Sequence, residues 1–340
     1  MGTYAPILPI GGNGGNDYKC FDTDGKVLEK IGVWCGGWQI RGIQLWRTGE
    51  NGQMFGSSEG KYHEFEFKPG ERITKCSLWG NGAGTRLGKI YFETNQQRNF
   101  SAQMTDWGTK KEYPIDIGSG ICVGMWLDSG SDIDNAAFVF LNKIRSVTLT
   151  NVHYPTLNFD TRGITPQTLD TFQDSNTTGS PRNWKFGSKT SKTTSHTWSV
   201  TTGVEAYAEL SVEAGIPEVA KVGGKFGWKV SESGTHGRTN QETRELSWEE
   251  SGTLQPGESI DLQAVTRVGK LASIDYTGTM VVTMEDGKNT FEYPIKGTYD
   301  GVDCTAVEVV DSGTGQPVGA EVEAVPPQPR EAPVSEVHPV

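Results

Sequence analysis

The chain has 340 residues and a formal net charge of -11, with 21% charged and 10% aromatic residues, enough apolar material for two cores. No basic stripe offsets the acidity, which excludes non-specific nucleic-acid binding, and no run of 18 apolar residues is present to form a transmembrane helix. The 44 glycines, abundant Ser and Thr and lack of any long 3.6-residue apolar period point to an all-β protein. Met1-Gly2-Thr3-Tyr4-Ala5-Pro6 has neither a basic nor an apolar leader, so no conventional secretion signal is expected. Cys20, Cys35, Cys76, Cys122 and Cys304 lack CxxC spacing and fit free thiols, with no metal site and no cofactor. His63, His153, His196, His236 and His338 lie in separate segments without a nucleophile motif, so an enzyme is not expected.

Along the first 150 residues a Trp-centred block recurs about every 46 residues. Trp34 leads through a Gly pair to Ile40-Arg41-Gly42-Ile43-Gln44-Leu45-Trp46, and Trp79 leads through a glycine loop to Leu87-Gly88-Lys89-Ile90-Tyr91-Phe92. Trp126 leads through Ser129-Gly130-Ser131-Asp132-Ile133-Asp134 to Ala137-Phe138-Val139-Phe140. Three copies of strand, glycine loop and strand predict a three-sheet prism with one sheet per repeat, since three blades cannot close a propeller.

Gly11-Gly12-Asn13-Gly14-Gly15, the Leu87–Asn95 strand and the late Gly130-Ser131-Asp132-Ile133-Asp134 resemble a jacalin-type lectin domain, a β-prism. In that family the G-x-x-x-D loop and the N-terminal glycine loop bind a hexose together. The resemblance implies that Asp134 accepts hydrogen bonds from two sugar hydroxyls, that backbone N–H groups around Asp132 and Ile133 donate to sugar oxygens, and that Gly14 and Gly15 permit close approach. Asp132 departs from the small or aromatic residue usual there, which leaves the sugar open. Asp132 and Asp134 as a D-x-D metal pair is the weaker alternative, because no further oxygen ligands are near in sequence.

Asn151-Val152-His153-Tyr154-Pro155-Thr156 reads as a linker dividing residues 1–150 from residues 151–310. From Ser188 to Thr202 ten of fifteen residues are Ser or Thr, predicting a long two-sided-polar strand. From Trp198 to Ala214 the even positions include Trp198, Val200, Val204, Ala206, Ala208, Leu210, Val212 and Ala214, and the odd ones Glu205, Glu209 and Glu213. This is a period of two, a strand. After Gly215-Ile216-Pro217-Glu218 the even face continues as Ala220, Val222, Gly224, Phe226, Trp228 and Val230, with Lys221, Lys225 and Lys229 on the odd face. Pairing residues whose numbers sum to 434 sets Glu213 opposite Lys221, Glu209 opposite Lys225 and Glu205 opposite Lys229, so the predicted hairpin spans about 198–236. Such a face belongs either on the core of a sandwich or, in several copies closed into a barrel, in lipid. Beyond it Ile260–Val268, Gly278–Met284 and Thr290–Ile295 read as strands.

This half resembles an aerolysin-type pore-forming module, and the combination resembles the jacalin-fused, natterin-like members of that superfamily. The resemblance implies protomers that dock on cell-surface glycans (mannose-type or another hexose), form a homo-oligomeric ring and release one pre-stem hairpin each into target-membrane lipid. The site of action would be extracellular, at target-cell membranes, with cytoplasmic storage or unconventional release. The alternative is a non-lytic lectin or adhesion protein whose hairpin stays folded. Before assembly the apolar face must be covered by its own domain, and mild acid is expected to favour the membrane-bound form by neutralising carboxylates. Residues 311–340, acidic and Pro-rich, read as a disordered tail, or alternatively as a removable tail that blocks assembly.

Overall fold

The computed structural model describes residues 2–81, 85–106, 108–157, 161–200 and 203–318. The chain opens with β1 (Ile10–Gly11) and β2 (Asn16–Cys20). A first sheet follows from β3 (Leu28–Cys35), β4 (Ile40–Arg47), β5 (Gln53–Gly56) and β6 (Lys61–Glu66), ordered β5-β4-β3-β6. A second consists of β7 (Ile73–Gly80), β8 (Leu87–Thr94), β9 (Asn99–Gln103) and β10 (Glu112–Pro114), ordered β10-β7-β8-β9. β11 (Cys122–Ser129) and β12 (Ile133–Phe140) take β1 and β2 as outer partners in the third. Each repeat tryptophan lies on the leading strand of the central hairpin of one sheet, which is the three-sheet prism its spacing predicts. Alternate residues such as Ile31, Leu45, Leu78, Phe92, Leu127 and Phe138 point inward to one core.

The larger β module begins earlier than the linker reading placed it. β13 (Ile144–His153) already belongs to a nine-stranded sheet and pairs with β21, so the change of unit falls at about residues 141–143 and not at 150. Tyr154 is a buried anchor and not part of a linker: its hydroxyl donates to Gly215 O at 3.1 Å and accepts from Trp198 Nε1 at 2.9 Å. Prism residues Val27, Ile121, Val123, Val139 and Leu141 join Val147, Tyr154, Trp198 and Tyr293 in one shared apolar cluster.

The remaining strands are β14 (Ile164–Ser175), β15 (Arg182–Val200), β16 (Leu210–Ala214), β17 (Pro217–Val222), β18 (Lys225–Val230), β19 (Gly234–Gly237), β20 (Thr239–Leu254), β21 (Ser259–Met284), β22 (Thr290–Cys304) and β23 (Glu308–Asp311). The large sheet runs β19-β16-β13-β21-β22-β15-β20, with β14 and β23 also on β21. β21 is one strand of 26 residues, roughly 85 Å at ~3.3 Å per residue, where the sequence predicts two. It stays continuous because each stretch has a different partner: β14 and β23 near Leu262, β22 from Val268 onward and β13 from Thr277. The irregularity between Leu271 and Ile274, with Ser273 at φ 53°, re-aims it midway.

The predicted 198–236 hairpin is not one hairpin here. Trp198 and Val200 end β15, Thr201 and Thr202 lie outside the described residues, and Val204–Tyr207 is a short 3-10 helix. β16 runs parallel to β13 and antiparallel to β19, with Val212 beside Leu149 and His236. β17 and β18 form their own hairpin, Pro217 opposite Val230 and Val222 opposite Lys225. The turn is Gly223-Gly224 (φ 57° and 80°), where two successive positive φ values suit a two-residue hairpin loop, and not Gly215–Glu218. The register summing to 434 is therefore absent, because β16 pairs with β13 and β19 while β18 pairs with β17.

All five cysteines are buried free thiols. Of the predicted tail, Asp311–Val318 is ordered: the Asp311 carboxylate accepts from the Gly313 and Thr314 backbones, and Val318 N donates to Val309 O. Residues 319–340 lie outside the described residues.

Candidate functional site

The turns of all three repeats meet at one end of the prism. The loop from Gly11 to Gly15 joins β1 to β2, and Gly12 N donates to Asp134 O at 2.8 Å, holding it against the start of β12. A Cβ at Gly14 would lie 2.8 Å from Asp134 Oδ1, and one at Gly15, whose φ is 80°, 2.7 Å from Asp134 Oδ2. Only glycine lets this backbone lie against that carboxylate. The result is an open cleft of about 420 Å³ lined by Gly12, Asn13, Gly14, Gln39, Asn81, Thr85, Arg86 and Asp134.

The late loop splits into unlike roles. Gly130 and Ser131 are exposed, with Gly130 N donating to Asp132 O at 3.1 Å, and Ile133 is a core anchor. Asp132, 9% exposed, accepts from Gln39 Nε2 at 3.0 Å, Arg41 Nε at 2.9 Å and Arg86 Nη1 at 2.6 Å. Its carboxylate is fully occupied in clamping the three turns together, and it leaves Asp134 as the carboxylate facing the cleft. Asp134 pairs with Arg86, whose Nε lies 3.3 Å from Oδ1. The two aspartates therefore face guanidinium groups, an arrangement that repels a cation. Among the described residues no group of three or more His, Cys, Asp or Glu side chains is placed to hold a metal.

Gln39, Arg41, Asn81 and Arg86 were not legible from the late-loop motif. A signal existed: Arg41 follows Trp34 by seven residues and Arg86 follows Trp79 by seven, the same step that leads from Trp126 to Ile133, beside Asp134. The matching step puts both arginines at the equivalent point of their own repeats, and the structure brings them together on Asp132.

The hairpin residues occupy a second, separate region. Val204 is buried and its N–H donates to Gly25 O of the prism at 3.0 Å. Glu205, 2% exposed, accepts from the Tyr293 hydroxyl at 2.8 Å, and burial raises its pKa against the lowering effects of hydrogen bonding and Arg238. Ala206 and Glu209 are exposed, Ala208 is half-buried, Leu210 and Val212 are buried, and Glu213 is exposed opposite Thr235. Lys221 pairs with Glu308 of β23 at 2.7 Å and Lys229 stands opposite Glu218, while Lys225 flanks the turn. Trp228, 1% exposed, donates to Arg162 O at 2.9 Å and lies with Val219 directly over Gly269. Val219 N donates to the buried Asp303 at 2.7 Å, and the Arg267 guanidinium stacks 4.9 Å from the Phe226 ring. Val222 and Val230 remain exposed. The structure thus gathers Gly14, Gly15 and Asp134 into one cleft, and disperses the hairpin residues over three docked pieces.

Residues 7–139 match the family model of the jacalin-like lectin domain. The crystal structure of a lamprey immune protein matches with a TM-score of 0.85 and 35% identity, covering 92% of this chain and 99% of that one. A variant of Malaysian banana lectin matches at 25% identity and a TM-score of 0.33, covering 41% of this chain and 100% of that one. A mannose-specific jacalin-related lectin from Morus nigra, solved with mannose, matches at 21% identity and a TM-score of 0.32, covering 40% and 96%. No curated protein matches significantly. With the prism, the long β module and a relative aligned over nearly its whole length, the chain belongs to the family of jacalin-lectin-fused, aerolysin-type proteins that includes the lamprey immune protein.

Proposed function

We propose that this protein is a non-enzymatic, glycan-directed pore former of defence. The prism cleft holds a hexose of a cell-surface glycan through Asp134 and the Gly12–Gly14 backbone, concentrating protomers outside the target membrane. Assembled protomers then release Val204–Val230, which re-pairs as one hairpin and closes with its copies into a barrel, apolar face to lipid and Glu–Lys ladder to the lumen. The observation that carries this reading is that residues 204–230 encode a continuous amphipathic hairpin register which the folded chain does not use. A segment whose sequence fits one pairing and whose fold adopts another is suited to switching between them.

The test compares the full chain with a variant in which residues 204–230 are replaced by a short Gly/Ser linker, on dye-loaded liposomes carrying a glycan the chain binds. The expected outcome is leakage with the full chain, none with the variant, and equal glycan binding by both. Binding without leakage from the full chain would instead identify a non-lytic lectin, the reading in which the segment stays docked.

A further inference from the structure

A second cavity, of about 400 Å³, lies away from the sugar cleft, where the prism meets the start of residues 204–230. Its walls come from the start of β3, the end of β4, the connection from β6 to β7 and the short 3-10 helix, which contributes Ala206 and Tyr207. Those walls are fixed by hydrogen bonds. Phe67 N donates to Glu29 O at 2.8 Å, and the turn after Phe67 is closed by Glu71 N on Lys68 O and by Lys68 N on the Glu71 carboxylate, both at 2.9 Å. Val204 N, at the head of the 3-10 helix, donates to Gly25 O at 3.0 Å. A preformed space of this size suits a small molecule.

Three of the lining side chains are aromatic: Trp46, Phe67 and Tyr207. Trp46 already carries an ammonium, since Lys30 Nζ stands 5.0 Å from its ring centre, and Glu64 answers that charge at 2.9 Å. The other lining charges are Glu29, Glu66 and Lys68, two acids against one base. Burial and the Glu29 carboxylate push the Tyr207 phenol up to about 12, so it lines the cavity uncharged at neutral pH. Aromatic faces and surplus carboxylates together attract an organic cation. A primary ammonium is strongly hydrated, whereas a quaternary one has no N–H to solvate and sheds water onto apolar rings. We propose that this cavity binds a quaternary ammonium group of the choline type, its methyl groups among the three rings and its charge beside Glu29 and Glu66. Phosphocholine, as a free solute or as a lipid headgroup, carries that group together with a phosphate suited to the exposed Lys68. Because Tyr207 belongs to residues 204–230, occupancy is tied to the docked position of that segment and stabilises it by mass action. The inference is independent of the sugar cleft.

The test is isothermal titration of the full chain with choline, phosphocholine and tetramethylammonium, with ammonium and inorganic phosphate as controls, repeated on E29Q, Y207F and Y207A. The quaternary ions are expected to bind saturably and to raise the melting temperature, and the controls to do neither. E29Q removes a charge and keeps the shape, so it is expected to weaken choline binding about tenfold; Y207A is expected to do the same by removing a ring, and Y207F to bind as the full chain does. E29Q decides the matter should Y207A fail to fold. No saturable binding by the full chain, equal affinity of the full chain and E29Q for choline, or equal binding of ammonium and choline would each overturn the site. Vesicles separate the two sources. Capture on phosphatidylcholine but not phosphatidylethanolamine vesicles, lost in E29Q, identifies the lipid headgroup, and choline binding without that capture identifies a free solute.

Discussion

Asp132 and Asp134 lie two residues apart and do different work, and their difference is measurable. D134N removes the cleft's acceptor while Arg86 keeps Asp132 as partner, so glycan binding is expected to fall at least tenfold with chemical stability unchanged. D132N leaves Arg41 and Arg86 without their shared carboxylate. Breaking a fully buried pair costs ~3–5 kcal/mol, but both guanidinium groups are partly exposed and screened, so the expected loss is about 1–2 kcal/mol in denaturant unfolding. A stability loss from D134N larger than that from D132N would reverse these roles. Asp134 was legible because a glycine loop and an Asp at fixed spacing carry a mechanism. The clamp on Asp132 was not, because nothing local announces that three turns a repeat apart converge on one carboxylate.

At the scale of the element, the β17–β18 hairpin is docked by close packing on β21. Gly269 lies under Trp228 and Val219, and a Cβ there would fall 2.5 Å from Trp228 Cζ2. G269A is therefore expected to destabilise docking of the β17–β18 hairpin by about 1–3 kcal/mol, seen as a red-shifted Trp emission and faster proteolysis within residues 217–230. Unchanged proteolysis would mean that the hairpin is held elsewhere.

The buried titratable groups of this region respond to pH in opposite directions, separately from the expectation that mild acid favours the membrane-bound form. Glu205 has a folded pKa raised by burial, so its contribution to stability is fully present below its unfolded value and is lost as pH rises through the raised one. Acid tightens this contact. His196 acts oppositely, because burial lowers its pKa, and the stability it contributes above its unfolded value is lost as pH falls. E205Q keeps an acceptor for Tyr293 without the charge, so it is expected to unfold at a higher temperature than the parent at pH 7, with the gap closing toward pH 4.5. A gap independent of pH would show that Glu205 does not titrate with folding.

The period-two pattern of residues 198–230 was legible, and its register in this fold was not. Periodicity records which side chains share a face, but Val212 can satisfy that face on Leu149 of β13 as well as across a hairpin. Two positive-φ glycines at 223 and 224 then supply a shorter turn. The Ser/Thr-rich stretch was readable as strand from its composition, and β15 runs from Arg182 to Val200, with Thr194, His196 and Trp198 buried toward its end. β21 was read as separate pieces because its neighbours change along its length, a fact of topology that local sequence does not carry.

Across the whole molecule the prism and the module are joined by shared core and not by a tether. Val204 is hydrogen-bonded to Gly25 of the prism, and Tyr293, which holds Glu205, packs against that same glycine. The prism and the start of residues 204–230 thus share one contact, while Glu308 of β23 pairs with Lys221 further along. The central claim is that one stretch of chain has two pairings. Its most direct measurement is the proximity of spin labels at E209C and K225C, read from dipolar broadening of the continuous-wave electron paramagnetic resonance spectrum, with all five native cysteines buried and slow to label. In solution the two positions belong to separately docked pieces; on glycan-bearing liposomes that leak, they are expected to become directly opposed strand neighbours, with Cα atoms about 4.5–5.5 Å apart. Leakage with the solution distance unchanged would contradict the account.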